Sequence, residues 1–141
     1  MPWNGYLRRV CAPMYTVIRV TCDDPSTDLN AWVDAFNASS GLPRLHEMRN
    51  NGGYVAEVCR EPSWDAHVRA LAPWVERLRG SSRARESDGV TAIVDVAVEP
   101  EDRRESVLSF DLKLPVGLLA DLSEAEISCV VSVYPGDDAT D

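Results

Sequence analysis

Few side chains in this chain have the types and spacings that chemistry requires. Cys59 and His67 could form a thiol–imidazole pair, a relation decided by geometry in space and not by sequence. The competing expectation makes Cys59 a strand core residue and His67 a member of a partly exposed helix face. Carboxylates are densest at Asp23-Asp24 and at Glu99, Glu101 and Asp102. An acid–base pair would have to be desolvated, whereas these groups fall where loops should be solvated, and Asp24 is expected to cap a helix. Arg77, Arg79, Arg83 and Arg85 could hold a phosphate or could line a screened polar loop. Gly52-Gly53 is not followed by Lys-Ser/Thr, and no Gly-x-Gly-x-x-Gly occurs, so the usual phosphate loops are missing. His46 and His67 have no ligand partner at helical spacing, which leaves no zinc pattern. The expectation is a protein with no catalytic residues, no metal and no cofactor.

The elements that would position such groups are better marked. "MYTVIRVTC" (14–22) is β-branched, with Met14, Ile18, Val20 and Cys22 pointing one way, and predicts a strand. A helix follows, with Asp24 as cap, Pro25 in the first turn and Gly41 as left-handed stop. Its apolar face is Leu29, Trp32, Val33 and Phe36. Asn51-Gly52 predicts a hairpin turn between a first arm weakened by Pro43 and a firmer arm, Tyr54 to Arg60. A second helix should begin after Ser63, with Trp64, Val68, Leu71, Val75 and Leu78 inward and a kink or break at Pro73 near Arg69. Trp74 falls off that stripe and is expected at the surface as a contact residue.

Residues 80–89 read as a polar loop, and "VTAIVDVAVEP" as a strand with Val90, Ala92, Val94, Val96 and Val98 on one face. "SVLSFDL" predicts a further strand. Leu118, Leu119 and Leu122 predict a short helix, and Ile127, Cys129, Val131 and Val133 a last alternating strand. The order predicts an α+β fold: a ferredoxin-like βαββαβ core extended by a C-terminal β-α-β, mainly antiparallel, with helices on one face. The expected organisation is an extension over 1–13, one domain over 14–134 and an acidic tail over 135–141. Translation could begin at Met1 or at Met14.

The chain has 141 residues, 14 basic against 23 acidic, for a net charge of −9. That balance argues against nucleic acid and anionic membranes, which demand a basic face, and it suits a basic partner. No apolar run approaches the roughly 20 residues of a membrane span, and the N-terminal patch is broken by Pro13 and Arg19, unlike a signal peptide. Cys11, Cys22, Cys59 and Cys129 form no Cys-x-x-Cys pair and are expected as thiols in a cytoplasmic protein.

Across residues 14–134, Trp64 ahead of a helix, "HVRALAPWVERL" with its internal proline, and "LPVGLLADLSEAEISCVVSVY" form a pattern. It resembles an uncharacterised bacterial family of domains of unknown function, of the kind similar to small acidic immunity proteins encoded beside toxins. The resemblance implies a cytoplasmic, non-enzymatic protein that neutralises a toxin by direct binding; the net charge of −9 suits a basic toxin domain, and the expected state is a monomer or weak homodimer. It transfers no catalytic residue. The residues expected at the interface are Asp23, Glu99, Glu101, Asp102, Asp137, Asp138 and Trp74. The alternative is a small-molecule-binding or enzymatic ferredoxin-like domain with a pocket between sheet and helices.

Overall fold

β1 (Met14–Cys22) is the strand on which the sheet is built. In the computed structural model, which describes residues 14–48, 52–98 and 112–133, it pairs antiparallel with β3 (Tyr54–Cys59) on one side and β4 (Val90–Val98) on the other. A two-residue β2 (His46–Glu47) lies outside β3, and β5 (Ser128–Val133) lies outside β4. The five-stranded order is β2-β3-β1-β4-β5. Among the described residues there are also four helices: α1 (Leu29–Ser40), α2 (Trp64–Gly80), α3 (Ser82–Asp88) and α4 (Val116–Glu124). The fold is α+β, and its sheet is mixed. β5 runs parallel to β4 because α4 intervenes between them, and a parallel neighbour needs such a crossover. The expected strand "SVLSFDL" lies outside the described residues except for Leu112, which is in no strand. Residues 1–13 and 135–141 also lie outside them.

Register sets the core. Thr16, Ile18 and Val20 pair with Val96, Val94 and Ala92, so one sheet face is a continuous row of small and branched side chains, all fully buried. Onto it α1 lays Val33 and Phe36, and α2 lays Leu71, Val75 and Leu78. α1 ends at Gly41 in the left-handed conformation (φ 69°), as its sequence predicts. Its start is later than expected. Asp28 is the cap and accepts from the Ala31 N–H at 3.1 Å, whereas Asp24 closes a turn on Ser26. In the β2–β3 turn, Gly53 carries the constraint, because a Cβ there would stand 2.8 Å from the Val20 carbonyl oxygen.

α2 departs from its sequence reading in three ways. It runs unbroken through Pro73, since Pro73 and Arg69 both face solvent and water can serve the carbonyl that loses its donor. Trp74 is only 2% exposed, and Phe36 stacks between it (5.8 Å) and Trp32 (5.3 Å). Trp74 is therefore core and no contact residue: Leu71, Trp74 and Leu78 follow helical spacing as well as the narrower stripe does, and α2 is covered by α1 as well as by the sheet. His67, expected half in water, is fully buried. Its Nε2–H donates to the Glu61 carbonyl (2.5 Å), and in the neutral ring Nδ1 accepts from the Thr16 hydroxyl (2.7 Å).

Residues 82–88, expected as loop, form α3, which is polar all round except that it buries Arg85. Leu119 of α4, expected inward, is 47% exposed; Val131 and Val133 of β5, also expected inward, are 45 and 48% exposed, because among the described residues β5 has one neighbouring strand. Trp74→Ala is expected to lower the unfolding free energy by about 3–5 kcal/mol, read from urea denaturation. A midpoint equal to wild type would return Trp74 to the surface.

Candidate partner-binding cleft

Three chain reversals meet at the end of the sheet where β1 stops. β1 runs into Asp23-Asp24, α3 turns into β4 at Gly89, and α4 turns into β5 at Glu126. Between them lies an open cleft of about 450 Å³ whose charged lining is Asp23, Asp24, Glu86, Glu126 and Arg85.

Backbone and side-chain bonds fix the first two walls to each other. The Asp23 N–H donates to the Gly89 carbonyl (3.4 Å), and the Thr27 hydroxyl to the Asp88 carbonyl (2.6 Å). Gly89 has φ 71°, and a Cβ there would come within 3.0 Å of the Asp24 Cβ, so both its conformation and its space call for glycine. The third wall is a helix stop made without glycine. The Ile127 N–H reaches the Leu122 carbonyl (2.9 Å) and the Glu126 N–H the Ser123 carbonyl (3.1 Å), which is the Schellman pattern. Glu126 occupies its left-handed position at φ 56°, where a residue with a Cβ costs about 1–2 kcal/mol. The carboxylate of this strained residue lines the cleft.

Beneath the carboxylates Arg85 is 2% exposed. Its Nη2 donates to the Leu78 carbonyl in the last turn of α2 (2.9 Å) and to the Ala125 carbonyl at the end of α4, while Nε has no partner. Burial pushes the guanidinium pKa down, and the nearby Glu126 charge pushes it up. Asp24 titrates below the ordinary carboxyl range because its Oδ1 accepts from the Ser26 hydroxyl (2.7 Å) and the Ser26 N–H (2.9 Å).

Of the residues expected at an interface, Asp23 lines this cleft and Trp74 is buried. Glu99, Glu101, Asp102, Asp137 and Asp138 lie outside the described residues. Glu86 and Glu126 were missed. Nothing in "SEAEIS" distinguishes a glutamate that replaces the usual capping glycine. The arginine cluster is dispersed: Arg77 bonds Ser39, Arg79 faces Asp121 (3.3 Å) and Glu124 (3.4 Å), and Arg85 is internal. His67 has both ring nitrogens engaged and so is no base for Cys59. Among the described residues no three His, Cys, Asp or Glu are grouped to hold a metal ion, and no helix is long and apolar enough to cross a membrane. Comparison of the chain with protein-family models, curated proteins and solved structures finds no match.

Two outcomes are expected. Ser26→Ala should move the Asp24 carboxyl back up toward its ordinary value in a carbon-detected NMR titration. Since the folded value is depressed, the Asp24 contribution to stability is present at neutral pH and lost as pH falls through that value, and Ser26→Ala should weaken this acid limb. Arg85→Met keeps the volume but strips the buried Ala125 carbonyl of its arginine donor, while the Leu78 carbonyl keeps the Ser81 N–H and hydroxyl. It should cost about 2 kcal/mol or more in denaturant unfolding.

Proposed function

We propose that the chain is a non-enzymatic binding protein of the immunity type, which neutralises a basic toxin domain by direct contact in the cytoplasm. The observation that carries this reading is the convergence of Asp23, Asp24, Glu86 and Glu126 on one cleft from three separate reversals. Carboxylates gathered on a fixed scaffold present a field that draws a cationic surface, raises encounter rates and disfavours acidic competitors. The net charge of −9 extends that field over the molecule. As scaffold, the βαββαβ order with strands β2-β3-β1-β4 supports a ferredoxin-like core, to which α4 and β5 are added. The cleft volume also lies in the range of small-ligand sites, but its charged lining differs from the apolar lining that holds most small molecules.

The test is co-expression with the product of the adjacent gene, followed by association kinetics with the purified pair. Protection from growth arrest is expected. Charge reversal at Asp23 together with Glu86 should slow association about tenfold at low ionic strength and flatten its salt dependence. Absence of both toxicity and binding would end the immunity reading. Binding with an unchanged on-rate would move the interface elsewhere.

A further inference from the structure

The two edges of the sheet are built differently. At one edge β2 is only two residues long, carries Glu47 and follows Pro43-Arg44, which are the usual protections of an exposed edge. At the other, β5 is six residues of "SCVVSV", with no charge and no proline. Among the described residues the large exposed apolar side chains are Val130, Val131 and Val133 of β5 itself, and Val116 and Leu119 of α4, the helix that leads into it.

We propose that this edge is a homodimer interface, in which β5 pairs antiparallel with β5 of a second copy to form a continuous ten-stranded sheet. Charge selects the occupant. A basic partner has nothing to read on β5, and the acidic groups of the neighbouring helix, Asp121 and Glu124, face Arg79 of the same chain. The edge is therefore a neutral strip on a chain of net charge −9, where two copies can meet without the repulsion their other surfaces carry.

Symmetry selects the register. Cys129, Val131 and Val133 pair with Val94, Val96 and Val98 and so share the helix-covered face. A two-fold axis perpendicular to the sheet keeps both helix layers on one side, and opposed residues must then come from the same face. With Val131 on the axis, Val131 meets its own copy and Cys129 meets Val133. Every half-covered apolar residue of β5 on that face gains a neighbour. The six-residue strand spans about 20 Å, a short contact against the roughly 800 Å² per subunit of a standard interface, so association should depend on concentration.

Sedimentation equilibrium of the full chain tests this. Wild type should approach twice the 15.6 kDa chain mass as concentration rises. Val131→Arg and Val131→Glu should each be monomeric, because like charges then face each other across the axis. An equimolar mixture of the two variants should recover the dimer. That recovery separates lost pairing from lost folding, and circular dichroism of each variant alone should match wild type. A wild type that stays monomeric at every concentration overturns the proposal. So does a dimer that survives both variants, or a monomer in which the alternate amides of 128–133 that point away from β4 already resist hydrogen exchange, which would mean the edge is covered from within its own chain.

Discussion

The buried guanidinium of Arg85 is the constraint on which one end of the molecule depends. A buried cation is costly unless its charge is answered, and among the described residues no carboxylate bonds it directly. The answer comes from carbonyls in the last turn of α2 and at the end of α4, where the helix dipoles place partial negative charge. One side chain on α3 thereby fixes the ends of two other helices. It also explains how Asp23, Asp24, Glu86 and Glu126 can share a cleft. The guanidinium puts a positive charge in the lining they share, and the Glu126 charge favours the ionised arginine.

Away from that end, polar contacts tie the layers in pairs. Thr16 and His67 join β1 to α2 inside the core. On the opposite sheet face Asp95 of β4 takes Arg19 from β1 (3.1 Å) and Ser132 from β5 (2.9 Å), a link across three adjacent strands. Trp64 Nε1–H donates to the Lys113 carbonyl (2.8 Å), so the segment leading into α4 is anchored at the start of α2. Apolar burial drives the collapse, but it is indifferent to small shifts between layers. These bonds specify which shift is native.

Legibility in the sequence followed the range of the interactions. β1 and β4 were read from strict alternation, and α1 from its apolar spacing and Gly41, because those signals are local. α3 was not legible: its residues are polar, and what makes them helical is a burial site for Arg85 formed by distant segments. Trp74 was misplaced because two phases fit the apolar residues of α2, and only the position of α1 decides between them. For β5, alternation gave the set that shares a face with Val94, Val96 and Val98, but not the exposure of Val131 and Val133, since a strand cannot reveal how many neighbours it has. The cleft was half legible. Asp23 stood out within an acidic pair, whereas Glu86 and Glu126 matter only because tertiary structure brings their turns together.

The cleft and the open edge are joined by a single short turn. Glu126 stands two residues before Ser128, and the bonds that close the turn, from the Glu126 and Ile127 N–H groups to α4 carbonyls, also fix where β5 begins against Ile93. Arg85 holds the same turn from below through the Ala125 carbonyl. The backbone conformation at Glu126 therefore has two consequences. It aims a carboxylate at the cleft, and it redirects the chain from a helix resting on α2 into a strand parallel to β4. Glycine would relieve the strain but not supply the charge, while any other route out of α4 would move the edge strand. The cleft wall and the start of β5 are thus set by one backbone conformation.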